Sequence, residues 1–229
     1  MTRDLAGIVF LFDVDNTLLD NDAVQADLGV HLETEFGSAA RDRYWAIFEA
    51  LRAELGYADY LGALQRYRLE DPDDPQLLRM SSFLIDYPFA RRLYPGALQT
   101  LAHVGRTGPT AILSDGDVVF QPRKVGRSGL WSAVGGRVMI YLHKEVMLSS
   151  VEKRYPAQHY VMVDDKLRIL TAMKQVWRSR LTTVFVRQGH YALDCAAIAG
   201  YPPADLTIER IADLPDTRVG RAATAQDLS

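Results

Sequence analysis

The chain holds 229 residues, 48% of them hydrophobic and 24% charged, with a formal net charge of −3. These values exclude the collagen-like, disordered and disulfide-stapled classes and suit one domain of roughly 150 residues plus a smaller module, or one large domain. Mild acidity speaks against bulk nucleic-acid affinity, and no window approaches the ~18 apolar residues of a membrane helix, so neither nucleic acid nor membrane is expected as a partner. The apolar run at 8–12 is too short for a signal-peptide core and is closed by Asp13. The single cysteine, Cys195, has no disulfide partner and no companion at metal-ligand spacing. It reads as a small core residue of a cytoplasmic protein.

Residues 8–12 (Ile-Val-Phe-Leu-Phe) show no polar alternation, the pattern of a strand buried on both faces of a parallel sheet. Similar runs at 110–113, 138–142, 160–163 and 182–186 alternate with helical stretches at 96–105, 118–128, 145–154 and 167–177. That alternation predicts βαβ units with right-handed crossovers. The segment 21–90 departs from it. There Tyr44, Ile47, Phe48, Leu51 and Leu55 recur at helical spacing, and Asp71-Pro72-Asp73-Asp74-Pro75 supplies one turn. The prediction is an α/β fold, a doubly wound Rossmann-like parallel sheet with an inserted all-helical cap. The core is 1–20 and 91–215, the cap 21–90, the re-entry hinge Pro88 and Pro95-Gly96, and 216–229 a flexible tail.

Polar residues gather where the predicted strands end. Phe12-Asp13-Val14-Asp15-Asn16-Thr17-Leu18 places two carboxylates two residues apart, on one side if strand geometry persists. Ser114-Asp115-Gly116, His143-Lys144 and Asp164-Asp165 follow three further strands. Each has a plain structural reading: Asp, Asn and Thr stop strands and cap helices, Ser114 caps a helix, Lys144 is a solvated charge. Four ends that together carry carboxylate, hydroxyl, ammonium and carboxylate point instead to one ligand site beyond the strand termini.

This set resembles the haloacid dehalogenase-like (HAD) hydrolase superfamily in its Asp-x-Asp phosphatase branch, over 8–20 and about 93–186. Tyr94-Pro95-Gly96-Ala97 is similar to the family's re-entry from cap to core, and Ser128-Gly129-Leu130 to the stretch after its second motif. The resemblance implies a nucleophile at Asp13 and a general acid/base at Asp15, with substrate phosphate bound at Ser114, Asp115 and Lys144. It implies Mg²⁺ held among Asp13, Asp15, Asp164 and Asp165, with Asp165 as direct ligand and Asp164 beside it or behind it.

Carboxylate attack on phosphorus brings anion to anion, so neutralising charge matters more than elaborate covalent machinery. Mg²⁺ is suited to carboxylates plus phosphate oxygens. Lys144 adds a point charge, Ser114 a donor, and Asp15 a proton for the leaving oxygen. Halide needs no such proton, so Asp15 favours phosphate esters. The expected function is Mg²⁺-dependent hydrolysis of a small-molecule phosphate ester through an aspartyl-phosphate. The alternatives are a 2-haloacid dehalogenase, a phosphomutase or a non-catalytic aspartate-phosphorylated signalling module; the helical insert argues against the last.

Three departures from the family pattern bear on the assignment. No Pro-Asp-Pro follows Lys144; Lys124 is its rival, read as lying inside the helix after Ser114 and facing water. The two acids of the fourth motif are adjacent, with Arg168 four residues after Asp164. Asp115 and Asp117 add negative charge near the phosphate and are expected to face the helix start or the cap. Elsewhere, 187–191 (Arg-Gln-Gly-His-Tyr) reads as a surface turn on the active face, with substrate binding as the alternative. Lys166, Arg168, Lys174, Arg178 and Arg180 read as a solvated helix face. Tyr44 and Trp45 read as cap core, with substrate contact, shared by Arg41 and Arg43, as the alternative.

Overall fold

The computed structural model describes residues 6–70, 72–73, 76–222 and 225–228. The strands are β1 (Ala6–Phe12), β2 (Thr110–Asp115), β3 (Val138–Tyr141), β4 (Ala157–Asp164), β5 (Leu181–Val186) and β6 (Leu206–Ile208). They form one parallel sheet in the order β3-β2-β1-β4-β5-β6. Side chains of β1 alternate between two apolar clusters. Ile8, Phe10 and Phe12 join one, while Val9 and Leu11 join the other with Leu170, Met173 and Trp177. Burial on both faces is why the strand reads as an unbroken apolar run. β6 escaped the sequence reading because it is three residues long and only Ile208 is buried.

Helices α1 (Asn21–Phe36), α2 (Ser38–Leu55), α3 (Tyr60–Arg68) and α4 (Gln76–Asp86) lie between β1 and β2. Asp20 and Asp59 cap α1 and α3, accepting from the N–H groups of Ala23 (2.9 Å) and Gly62 (2.7 Å). Of the turn expected at 71–75, Pro72 and Asp73 form a turn, and Asp71, Asp74 and Pro75 lie outside the described residues. Chain exit and re-entry are fastened together: Asp20 N donates to Arg92 O (2.7 Å) and Tyr94 N to Leu18 O (3.0 Å). The insert shares its core with the sheet through a chain of tilted and edge-to-face aromatic rings. Phe48 meets Tyr60 at 4.8 Å, Tyr60 meets Phe120 at 4.9 Å, and Phe120 meets Phe89 at 5.7 Å between centroids.

The remaining helices are α5 (Ala97–Val104), α6 (Phe120–Arg127), α7 (Leu130–Ala133), α8 (Leu148–Arg154), α9 (Leu167–Trp177), α10 (Gly189–Leu193), α11 (Cys195–Ile198) and α12 (Arg218–Arg221). The helix expected from 145 begins as a 3₁₀ turn, Lys144–Val146, because the Lys144 N–H is drawn to the Asp115 carboxylate at 2.7 Å. No described helix is long and apolar enough to cross a membrane.

Two expectations are corrected. Cys195 is exposed, set at the first turn of α11 by the cap from Asp194, so it is no core residue. The tail is not a loose end where it is described: Val219 and Leu228 are buried, and the His103 ring meets Gly220 O at 3.0 Å. Small residues, read as tail composition, are what this close packing needs; a Cβ on Gly220 would fall 2.3 Å from Leu214 O. Removing 216–229 is therefore expected to lower unfolding free energy by about 2–4 kcal/mol, the worth of two buried aliphatic side chains after discounting. Urea unfolding checks this, and an unchanged midpoint would restore the loose tail.

Candidate active site

The chain runs from β1 outward to β2 and β3, then crosses back to β4 on the other side of β1. The carboxyl ends of β1 and β4 thus flank the switch point, where open α/β sheets bind ligands. Asp13 extends β1 there, its N–H donating to Val163 O at 3.0 Å. Asp164 ends β4 and Asp165 follows. Ligand oxygens of Asp13, Asp164 and Asp165 lie within 4.8 Å of one another, and all three residues are buried.

Lys144 is the ammonium at this cluster. Its Nζ lies 2.5 Å from Asp13 Oδ1 and 2.7 Å from Asp164 Oδ2, with the side chain 2% exposed. Burial pulls its pKa down, but Asp13, Asp164 and Asp115 outweigh that and hold it above the usual lysine value. Ser114 Oγ also donates to Asp13 Oδ1 (3.2 Å) and receives Gln121 Nε2 (3.0 Å). Both donors bond Oδ1 of Asp13.

Asp164 is compensated by Lys144 and by the Lys166 N–H, which reaches its Oδ1 at 2.9 Å. Asp165 is not: both carboxylate oxygens are buried without a hydrogen-bond partner. Burial raises Asp164 to about 6 against the pull of Lys144. Burial likewise pushes Asp165 well up, helped by Asp164 and Asp13 and opposed by Lys166. Three buried carboxylates thus face two ammonium groups, Lys144 paired with Asp13 and Asp164 and Lys166 acting on Asp165 by charge alone, and Asp165 has oxygens without a hydrogen-bond partner in the chain. Hard oxygen donors in a net-negative pocket fit a divalent cation such as Mg²⁺.

Asp15 stands apart from this cluster. Asn16, in the left-handed region at φ 59°, turns the chain after it. Asp15 Oδ1 meets Lys124 Nζ at 2.6 Å, so its carboxylate is not among the clustered ligand oxygens as the resemblance implied. Lys124 in turn does not face water, because its side chain is 0% exposed. The signal for this was present: Phe120, Gln121, Lys124 and Val125 share one face of α6 at i, i+1, i+4 and i+5, and that face is buried. Asp115 braces the Lys144 loop, its Oδ1 accepting from that residue's N–H at 2.7 Å. Asp117 caps α6, accepting from the N–H groups of Val119 and Phe120 at 2.7 Å.

A cavity of about 430 Å³ opens beside these groups, lined by Asp15, Asp165 and Lys166 of the sheet layer and by Arg52, Tyr57 and Tyr60 of the insert. It is large enough for a small metabolite. Lys166 belongs here, its ammonium 4.7 Å from the Tyr191 ring centre, and not to a solvated helix face. The stretch 187–191 is likewise more than a surface turn. His190 Nδ1 meets Asp22 Oδ1 at 2.6 Å and Tyr191 lines the cavity. Gly189, at φ 72°, packs so closely that a Cβ would fall 2.4 Å from Asn16 Cβ. Tyr44 is buried in the insert, and Arg41 pairs with Glu33 and Asp42; neither lines the cavity, nor does Trp45 or Arg43. Arg52, Tyr57 and Tyr60 were not singled out from sequence, because nothing local distinguishes a cavity face from a packing face.

No protein-family model and no curated protein matches this chain. Among solved structures, a protein of Burkholderia xenovorans LB400 described as a haloacid dehalogenase-like hydrolase is 69% identical. The match covers 93% of this chain and 99% of that one, with a TM-score of 0.89. The chain belongs to the HAD-like hydrolases. The hydrolase also shares its fold with the L-2-haloacid dehalogenase of Xanthobacter autotrophicus, solved with chloropropionic acid covalently bound. That match is 21% identical with a TM-score of 0.60, over 95% of this chain and 100% of that one. YfnB of Bacillus subtilis, solved with magnesium, is 17% identical with a TM-score of 0.63, over 92% and 98%.

Asp165 gives this hydrolase a measurable signature. Without metal, Asp165→Asn is expected to stabilise the fold by about 1–3 kcal/mol by removing an unsatisfied buried charge. The folded-state pKa of Asp165 lies above its unfolded value, so the folded wild type binds more protons than the unfolded chain. Wild type therefore loses stability relative to the variant as pH rises through the carboxylate range, and the two converge in acid. Mg²⁺ at a hundred times its Kd should add about 2.7 kcal/mol to wild type and nothing to the variant. Urea titrations at several pH values, with and without Mg²⁺, read both effects.

Proposed function

We propose that the chain is a Mg²⁺-dependent phosphomonoesterase that works through an aspartyl-phosphate on Asp13. The observation that carries this reading is the unsatisfied carboxylate of Asp165 beside the nucleophile. Displacement of halide from a neutral carbon needs no extra cation, and an additional buried carboxylate would only disfavour an approaching haloacid anion. Attack on a phosphate dianion needs positive charge that Lys144 alone does not supply.

Asp13 and Asp165 would hold the metal, while Asp164 holds Lys144 in place. Bound there, Mg²⁺ would offset charge between nucleophile and phosphate. Asp13 Oδ2 attacks phosphorus, the P–O ester bond breaks, and the Asp15 carboxyl gives its proton to the leaving oxygen. Asp15, now a carboxylate, takes a proton from the water that attacks the phosphorus of the acyl-phosphate. The P–O bond to Asp13 breaks, inorganic phosphate leaves, and both aspartates regain their starting states. Ser114 and Lys144 donate to the oxygens of the transferring group. The helical insert acts as the lid that selects the ester's alcohol portion, and the cavity volume suits a small phosphorylated metabolite.

Turnover of p-nitrophenyl phosphate tests this reading. Wild type should require Mg²⁺ and lose activity in EDTA, and Asp13→Asn should lose at least about 10³-fold in kcat. Robust turnover by that variant, or indifference to EDTA, would contradict the mechanism. Halide release from a 2-haloacid with no phosphatase activity would establish the dehalogenase reading instead.

A further inference from the structure

Lys124 is a fully buried ammonium that the mechanism above does not use. It projects from α6 toward Asp15, on a different element from Lys144 and its loop. Its Nζ donates to Asp15 Oδ1 at 2.6 Å and to Asn21 Oδ1 at 2.9 Å. Its remaining surroundings are aromatic: the ring centres of Phe120 and Tyr60 lie 5.2 and 5.9 Å away. A side chain that is 0% exposed is held by the acceptors around it, so those acceptors set the position of the ammonium. A merely structural lysine in such a place is costly, since burying the charge offsets much of what the ion pair gains. Its partner here is the residue that must exchange a proton with substrate.

We propose that Lys124 is the positioning residue for Asp15, engaging Oδ1 so that Oδ2 is the oxygen that exchanges the proton. Oδ2 receives one long hydrogen bond, from Gln121 Nε2 at 3.4 Å, and Asp15 lines the cavity. The lysine also ties this orientation to the insert. Asn21 is the first residue of α1 and donates through Nδ2 to Tyr60 Oη at 3.2 Å. Tyr60 begins α3 and receives Gln25 Nε2 at 2.8 Å. Asp15 is therefore held in line only when the starts of α1 and α3 are seated on α6, so proton transfer depends on the insert being in place. Gln121 joins the same assembly to the nucleophile, because its amide also donates to Ser114 Oγ.

The inference rests on the phosphatase reading for its kinetic readout and on geometry alone for its structural one. Lys124→Met replaces the ammonium with an apolar chain of similar length. Loss of the positioned acid should lower kcat/KM about 10- to 100-fold for an alkyl phosphate, whose leaving oxygen needs a proton. It should lower kcat/KM less than about threefold for p-nitrophenyl phosphate, whose phenolate leaves unprotonated. Equal losses on both esters, or none on either, in a variant that keeps the wild-type circular dichroism and melting temperature would overturn the proposal. If Lys124→Met does not fold, Asn21→Leu removes one acceptor of Lys124 without stranding a charge, and it should show the same selectivity between esters at smaller size. Crystal structures of wild type and variant give the readout that needs no turnover. The Asp15 carboxylate should leave its place in the variant, and an unmoved carboxylate overturns the proposal even if the protein cleaves no phosphate ester. Failure of the wild type on both esters, with Asp15 displaced in the variant, would count against the phosphatase reading and leave the positioning role standing.

Discussion

At the carboxyl ends of β1 and β4 the protein concentrates carboxylates that ordinary folding would keep apart. Asp13, Asp164 and Asp165 are held together because the two central strands of the sheet end side by side, with Asp13 bonded to the backbone of β4. Lys144 spans the first two at 2.5 and 2.7 Å, and Asp164 is further held by the Lys166 N–H. Asp165 is left over. A buried, unpaired carboxylate is among the more expensive groups a fold can carry, and nothing about packing requires it. A divalent cation bound there would offset that cost by restoring neutrality. The rest of the arrangement serves that point. Asp115 holds the Lys144 loop, Asp117 starts α6, and α6 carries the side chains that reach Ser114 and Asp15.

The site has a second half, built across the insert. Lys124, Asn21 and Tyr60 join Asp15 to the starts of two insert helices, while Asp22 binds His190 of α10, the helix after β5. Aromatic rings in contact from Phe48 to Phe89 make the insert continuous with the sheet's own core. The cavity is lined by residues that belong to both. Asp13 and Asp15 are paired with separate lysines, Lys144 and Lys124, so each carboxylate is held independently.

Much of this was legible in the sequence because it follows from local chemistry. Apolar runs without alternation marked five of the six strands, and the polar residues at their ends marked the site, since parallel topology brings carboxyl ends together. What sequence missed depends on long-range packing. Lys124 shares the helical face of Phe120 and Val125, so its burial was open to a periodicity argument, but its pairing with Asp15 and Asn21 depends on how α1 and α3 sit over α6. Tyr60 and Arg52 look like ordinary helix residues until the insert is placed over the sheet. β6 was too short to signal, and the small residues after Pro215 looked loose although close packing against 214–215 demands smallness. Cys195 failed in the opposite sense: residue type suggested burial, whereas the cap from Asp194 turns it outward.

The central claim is that Asp13 attacks phosphorus in a site whose charge is completed by a cation. Its most direct test is the chemical identity of what becomes attached to that residue. Acid-quenched single turnovers, run in Mg²⁺ with excess enzyme over an alkyl or aryl phosphate, can be digested and the peptide containing Asp13 weighed. The account predicts a transient phosphoryl adduct on Asp13 that forms only with the metal and is absent in Asp13→Asn. A peptide that stays unmodified with phosphate esters, but gains a carboxyalkyl ester from a 2-haloacid without metal, would contradict it.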